Sequence, residues 1–172
     1  MAFEFEMKDL GPMHNFLGLE VWQKPGEIFL SQGKYVLKIL ERFQMVNCKP
    51  ITTLMELKFK NLCGSAAGPE LGNAYEYRQL IGALMFLVNS RLDICFAVNT
   101  FSQYIVEPHH IHWIAAKNLL RYLRGTITHG LRYTAGNVRL HGYSDVDWAG
   151  SVVDRKSTFG CCFFWVLLRY LG

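Results

Sequence analysis

The sequence predicts an α+β fold because its hydrophobic pattern changes twice along the chain. A β-rich segment with a turn comes first, apolar segments with helical spacing follow, and alternation typical of strands begins after residue 126. Hydrophobic residues make up 51% and charged residues 19% of the 172 residues, which is typical of a globular chain with a large core. This order favours either one α+β domain or two units that meet near residue 126.

The first part of the chain predicts a β-hairpin followed by a helix. Two β-rich runs, residues 16–22 and 27–31, are separated by the turn residues Lys24-Pro25-Gly26. Residues 32–45 then carry apolar side chains at helical spacing, and Ser31 is the predicted N-cap. The apolar face of this helix consists of Val36, Ile39, Leu40 and Phe43.

Three more helices are predicted after a loop that glycine and proline punctuate at residues 46–70. They span residues 73–90, 93–106 and 109–124. The first of them is apolar close to all round, including at Phe86, so we expect it to be buried on every face. The predicted apolar stripe of the last helix consists of Ile111, Ala115, Leu119 and Tyr122.

The end of the chain predicts strands at residues 129–134, 138–144 and 157–166, with a turn at Ala135-Gly136-Asn137. The longest apolar run, from Phe159 to Leu168, is too short for a membrane span, which needs about 20 residues. We therefore expect no contact with a membrane.

Charge and cysteine content exclude few function classes. The net charge of +4 is too small to indicate nucleic acid by itself. The five cysteines match no zinc spacing, and their odd count favours an intracellular protein with reduced thiols. His109, His110 and His112 stand too close together to face one metal ion, so we interpret them as a helix N-terminal turn against which Trp113 packs.

Two short cationic stripes are candidates for contact with nucleic acid. Lysine and arginine on one helix face bind phosphates in a sequence-independent and salt-dependent way. The alternative for both stripes is the solvated face of an amphipathic helix. The first stripe is Lys34, Lys38 and Arg42, and the second is Lys117, Arg121 and Arg124.

A pair of acidic residues near the end of the chain is a candidate metal site. Asp145 and Asp147 stand at positions i and i+2, so on a strand they point to the same face. Two-metal chemistry needs several convergent carboxylates, and one or two bind Mg²⁺ weakly. The simpler alternative is a pair of solvated aspartates at a strand end.

Segments in the same order along the chain resemble the Pol polyprotein of copia-type retrotransposons. The likeness extends over about residues 3–164, and its order makes it far more specific than any single motif. The segments that carry it include Phe16-Leu17-Gly18-Leu19-Glu20-Val21, Ser31-Gln32-Gly33-Lys34-Tyr35, Tyr77-Arg78-Gln79-Leu80-Ile81-Gly82, Arg121-Tyr122-Leu123-Arg124-Gly125-Thr126 and Tyr143-Ser144-Asp145-Val146-Asp147-Trp148.

This resemblance implies a division into two parts. Residues 1–126 would be the C-terminal part of a reverse transcriptase, with a hairpin that holds the primer end and helices like those of the thumb and connection. Residues 127–172 would be the first antiparallel strands of a ribonuclease H-like sheet. In that arrangement the first cationic stripe would lie on the thumb, and Asp145 would match the first metal-ligating aspartate of ribonuclease H.

The resemblance also implies roles for the hairpin and for the cofactor. Phe16, Leu17 and Gly18 would contact nucleic acid, because glycine lets a backbone approach closely. The alternative is a core hairpin whose glycine serves packing. Mg²⁺ is the cofactor expected of the parent enzyme, and an RNA–DNA hybrid or template–primer is the expected partner.

The expected activity of the chain is limited by residues that it lacks. It begins after the paired polymerase aspartates of the family and ends before the later ribonuclease H carboxylates, so we expect no catalysis by this chain alone. Three hypotheses remain: a non-catalytic remnant, a nucleic-acid-binding module, and an enzyme fragment completed by another chain. The short strand segment predicts self-association, and the nucleus or cytoplasm is the expected location, with an organelle as a further alternative.

Overall fold

In the part of the chain that the structure describes, three strands come first, four α-helices follow, and four more strands come last. The computed structural model describes residues 11–55, 68–135, 140–147, 158–165 and 168–171. Within those ranges no helix combines the length and the apolar character that crossing a membrane requires. The elements are β1 (Asn15–Phe16), β2 (Leu19–Lys24), β3 (Glu27–Ser31), α1 (Gly33–Arg42), α2 (Ala74–Leu87), a 3₁₀ turn (Leu92–Ile94), α3 (Cys95–Ser102), α4 (His110–Gly125), β4 (Gly130–Thr134), β5 (Leu140–Asp147), β6 (Thr158–Trp165) and β7 (Leu168–Leu171).

An antiparallel sheet with the strand order β1-β2-β3-β4-β7 joins the two ends of the chain. The predicted turn between β2 and β3 is confirmed, with Gly26 at a φ of +75°. Gly130 starts β4 opposite Ser31, and a Cβ atom there would overlap the Leu30 carbonyl oxygen. Glycine is therefore needed where β4 approaches β3.

The predicted boundary near residue 126 does not coincide with a break in this sheet. β4 and β7 follow that residue, yet they belong to the same sheet as the hairpin, because β4 pairs with β3 on one side and with β7 on the other. β5 and β6 form a separate antiparallel pair. The division at residue 126 stays a prediction.

The four predicted helices are confirmed: the first three are shorter at both ends than predicted, and α4 starts and ends one residue later. Their packed faces form the hydrophobic core. α1 buries Val36, Ile39 and Leu40 as predicted. Full burial of a leucine or isoleucine side chain stabilises a fold by roughly 1.5–3 kcal/mol, so this face holds α1 firmly. The buried residues of α2 are Tyr77, Leu80, Ile81, Leu84 and Leu87.

The prediction that α2 is buried on every face is wrong. Met85 is 49% and Phe86 41% exposed, because neighbouring elements cover only one side of the helix. The predicted stripe of α4 is also displaced, since Ile111, Ala115 and Tyr122 are only partly buried. The residues that α4 buries are His112, Ala116, Leu119, Leu120 and Leu123.

Two local predictions in the first part of the chain need correction. Ser31 is not the N-cap of α1: it ends β3 and donates its hydroxyl hydrogen to Glu20 at 3.3 Å, while Gln32 occupies the N-cap position. The predicted strand at residues 16–22 is interrupted at Leu17 and Gly18, where a turn separates β1 from β2. The cause is positive φ at both turn residues.

A buried arginine ties the end of α4 to the turn before α3. Arg91 is 1% exposed and donates from Nε and Nη2 to the two Asp93 carboxylate oxygens, at 3.0 and 2.8 Å. It also donates to the Thr126 carbonyl at 2.8 Å and to the Thr126 hydroxyl oxygen at 2.7 Å. The Tyr122 hydroxyl donates to Asp93 at 2.8 Å. Charge-assisted and bidentate bonds of this kind are among the strongest in proteins, so the cluster fixes both segments.

The interpretation of the histidines as a helix N-terminal turn is confirmed. His109 is the N-cap of α4, and its backbone N–H donates to Nδ1 of His112 at 2.9 Å. The buried His112 ring stacks on Tyr104 with centroids 4.0 Å apart. Trp113 packs against the helical core. Burial, and then the nearby His109, lower the pKa of His112 from 6.5 to about 4.

Replacing Asp93 by alanine is expected to lower the free energy of unfolding by about 3–5 kcal/mol, because Arg91 would keep a buried charge without its carboxylate partner. Urea unfolding followed by circular dichroism measures this change. The matched control is Glu27→Ala, which removes an ion pair to Arg132 at 3.3 Å whose side chains are 30% and 40% exposed. That change is expected to lower stability by less than about 1 kcal/mol, and equal losses in the two variants would contradict the role of the cluster.

Acid is expected to destabilise the fold through His112. Because the folded protein holds its pKa near 4, below the ordinary 6.5, the unfolded chain binds the proton more readily. The stability that neutral His112 contributes is therefore complete above pH 6.5 and is lost as pH falls toward 4, by roughly 3 kcal/mol in total. His112→Gln keeps an acceptor for the capping bond but does not titrate. Urea unfolding at several pH values should show a shallower acid loss in this variant, and identical profiles would refute the assignment.

Candidate nucleic-acid interface

The segment Phe16-Leu17-Gly18 forms the tip of a hairpin. Phe16 pairs with Leu19, so Leu17 and Gly18 are the two turn residues. Their φ angles are +48° and +82°, as a tight hairpin requires. The left-handed conformation costs an L-residue such as leucine roughly 1–2 kcal/mol, and Leu17 is 76% exposed. Packing of this side chain therefore offsets little of the strain, and such strain is concentrated at functional sites.

An aromatic contact holds the hairpin tip against the helices. A Cβ atom on Gly18 would lie 3.3 Å from the ring of Phe86 in α2, so glycine allows the turn to approach that ring closely. Tyr35 of α1 meets the same ring edge-on, with centroids 5.0 Å apart. The turn and α1 are thus joined through Phe86.

The first cationic stripe is exposed along α1, and its members have different surroundings. Lys34 lies 3.3 Å from the carboxylate of the buried Glu20 and so helps to fix α1 to β2. Lys38 and Arg42 form no salt bridge with any described residue. The guanidinium of Arg42 lies 5.7 Å from the centroid of the Phe43 ring. Lys38 and Arg42 are therefore the cations of this stripe with charge available to a phosphate.

The second cationic stripe has a structural explanation. Arg121 donates from Nε to the Lys49 carbonyl at 2.9 Å, and Arg124 donates from Nε to the Val46 carbonyl at 2.6 Å. These bonds hold the segment after α1 against α4. A nucleic-acid role for Arg121 and Arg124 stays a prediction.

One cavity is lined by a cation from each stripe, Arg42 from the first and Lys117 from the second. The spacing of these residues along the sequence did not indicate that they would lie near the same cavity. The cavity has a volume of about 310 Å³ and lies between α4, α2 and the end of α1. Only packing brings α1 beside α4, so no local pattern could have indicated it. Its lining residues are Arg42, Phe43, Gln44, Glu76, Gln79, Trp113 and Lys117.

The acidic pair lies on β5, which continues to Asp147 and so beyond the strand predicted at residues 138–144. In the backbone register Asp145 is opposite Gly160 and Asp147 is opposite Thr158. Over the described ranges, no group of three or more histidine, cysteine, aspartate or glutamate side chains converges as a metal site would require. The described residues therefore do not supply a complete set of ligands for the Mg²⁺ that the resemblance implies, and no reaction step through Mg²⁺ follows from them.

Comparison with known proteins identifies the family. The family described as reverse transcriptase (RNA-dependent DNA polymerase) matches residues 1–57. An uncharacterized mitochondrial protein of Arabidopsis thaliana is 41% identical over 166 residues, which cover 95% of this chain and 68% of that protein. The retrovirus-related Pol polyprotein from transposon RE2 of Arabidopsis thaliana is 42% identical over 161 residues, 93% of this chain and 11% of the polyprotein.

A further relative comes from another plant. The retrovirus-related Pol polyprotein from transposon TNT 1-94 of Nicotiana tabacum is 40% identical over 171 residues, 95% of this chain and 13% of the polyprotein. The chain thus corresponds to a small part of each polyprotein's length. No solved structure matches. These similarities confirm the resemblance found in the sequence: the chain belongs to the Pol polyprotein family of copia-type retrotransposons, in a segment that includes part of the reverse transcriptase.

Proposed function

We propose that this chain binds the template–primer of a copia-type reverse transcriptase, an RNA–DNA hybrid, through the hairpin tip and the exposed face of α1. The observation that carries the proposal is the strained and exposed turn at Leu17 and Gly18. A turn of this kind persists only where surrounding structure holds it, and function is the usual reason for keeping it. The packing of Phe86 against both Gly18 and Tyr35 supports its placement beside α1.

The side chains around the turn suit a nucleic-acid ligand. Phe16 is 53% and Trp22 48% exposed, and exposed aromatic rings provide platforms for bases and sugars. Lys38 and Arg42 add cations that can neutralise backbone phosphates. The combination favours binding that depends on the shape and charge of the duplex rather than on its sequence.

The proposed activity of this chain alone is binding without cleavage. Two-metal hydrolysis needs several convergent carboxylates, and the resemblance assigns this chain only Asp145 and Asp147. By the resemblance, β5 and β6 with Asp145 and Asp147 belong to a ribonuclease H-like portion. A second chain could supply further carboxylates, and magnesium-dependent activity of the purified chain would contradict the binding-only proposal.

The affinity for a labelled RNA–DNA hybrid is expected to fall steeply as salt is raised, and Lys38→Gln is expected to reduce this dependence. Loss of one phosphate contact lowers the slope of log K against log salt by roughly 0.7–0.9. Fluorescence anisotropy over a salt series measures both slopes. Lys49→Gln is the matched control, because it removes the same charge from an exposed residue after α1, outside the hairpin and the exposed face of α1. Absence of binding at low salt, or a slope in Lys38→Gln equal to that of wild type, would contradict the proposal.

Leu17→Asn is expected to stabilise the fold while weakening hybrid binding. Asparagine tolerates the left-handed conformation, and Asn-Gly is the preferred pair for this turn, so the free energy of unfolding should rise by about 1 kcal/mol. Affinity for the hybrid should fall severalfold, because the exposed apolar side chain is lost.

The control for this variant is Leu92→Asn in the 3₁₀ turn, where the leucine is 43% exposed and lies outside the hairpin and α1. Asparagine there relieves no left-handed strain, so stability should not rise and hybrid binding should not change. Urea unfolding and anisotropy separate the two effects. A Leu17→Asn protein that is both more stable and equally tight in binding would show that the strained leucine has no binding role.

A further inference from the structure

We propose that the cavity between α4, α2 and the end of α1 is a separate binding site, and that it accepts the phosphate group of a nucleotide. Its volume of about 310 Å³ is at the lower end of the range for small-molecule sites. A duplex is too wide for such a cavity, whereas a phosphate with its attached sugar is of suitable size. The cavity involves α4 and α2, which the proposed hybrid surface does not use, whereas Arg42 at the end of α1 borders both.

Two cations in the cavity are held against aromatic rings. The Lys117 ammonium lies 4.9 Å from the centroid of the Trp113 ring, and the Arg42 guanidinium lies 5.7 Å from that of Phe43. The two rings meet edge-on with centroids 6.2 Å apart. Rings restrain and partly desolvate the cations they contact, and neither cation has a salt bridge within the described ranges. Their charge is therefore available to an anion.

A strained glutamine adds a second argument. Gln44 has a φ of +57°. Its N–H donates to the Glu41 carbonyl, and the Met45 N–H donates to the Leu40 carbonyl. These two bonds close α1 with a Schellman motif. Glycine is the usual residue at this position because a Cβ atom makes the conformation unfavourable. This chain has instead a glutamine, and that residue lines the cavity.

The lining as a whole favours a phosphate ester over other ligands. Arg42 and Lys117 supply positive charge, Gln44 and Gln79 supply amide donors, and the rings of Phe43 and Trp113 provide apolar walls beside which a sugar can pack. Glu76 contributes the one negative charge among the described lining residues. Phosphate is recognised by this combination of cations and N–H donors. Two sources of phosphate fit this lining: a free mononucleotide and the end of a polynucleotide. Only the second source rests on the proposed function.

Isothermal titration calorimetry tests the site with adenosine 5′-monophosphate, adenosine, and a short oligodeoxyadenylate with or without a 5′-phosphate. Saturable binding is expected for a phosphorylated probe and not for its unphosphorylated counterpart. Binding of the mononucleotide identifies the free nucleotide as sufficient, and binding of the phosphorylated oligonucleotide alone identifies the polynucleotide end. If neither phosphorylated probe binds, the proposal is overturned.

Variants distinguish this cavity from the hybrid surface. Lys117→Gln is expected to weaken binding of the phosphorylated probe about tenfold, Lys117→Arg should restore most of it, and Glu76→Gln should tighten it. Lys38→Gln removes the same charge from a residue that does not line the cavity, and should change hybrid binding only. Equal effects of Lys117→Gln and Lys38→Gln on the phosphorylated probe would overturn the proposal even if hybrid binding were confirmed. Circular dichroism of each variant verifies that it is folded.

Discussion

The bonds of the buried Arg91 guanidinium are the constraint on which the rest of the structure depends. They join Asp93, at the start of the segment leading into α3, to Thr126, immediately after α4. The chain continues from Thr126 through Ile127 into β4. The Ile127 carbonyl packs closely against Gly33 at the start of α1, since a Cβ atom on Gly33 would lie 3.3 Å from its oxygen. The cluster therefore sets the position of β4 and of the start of α1 together. Because β4 pairs with β3, the hairpin that carries the proposed interface follows from the same arrangement.

Strain and exposure coincide at the two proposed binding surfaces. Over the described ranges, the non-glycine residues with positive φ are Leu17 and Gln44. The first is at the hairpin tip, and the second lines the cavity at the end of α1. In both places a residue more compatible with the backbone would stabilise the fold. The helical core and the Arg91 cluster supply the stability that tolerates this strain.

Local sequence patterns predicted the helices and strands better than they predicted the tertiary contacts between them. Val36, Ile39 and Leu40 follow the helical period, and Pro25-Gly26 has turn chemistry, so α1 and the turn between β2 and β3 were predictable. Phe86 could not be placed, because its exposure depends on the hairpin that packs against it. The cavity escaped prediction for the same reason, since Arg42 and Lys117 belong to helices far apart in sequence. The resemblance indicated the hairpin as a site, whereas the strain that supports this role is visible only in backbone angles.

Photo-crosslinking is the most direct test of the central claim that the hairpin tip and α1 form the hybrid-binding surface. An RNA–DNA hybrid with 5-iodouracil along one strand would be irradiated with the purified chain, and the crosslinked peptides would be identified by mass spectrometry. If this claim is correct, crosslinks form to aromatic residues of the hairpin, above all Phe16 and Trp22, and excess unlabelled hybrid competes with them. Specific crosslinks confined to α3 or to the segment at residues 103–107, with none on the hairpin, would contradict it.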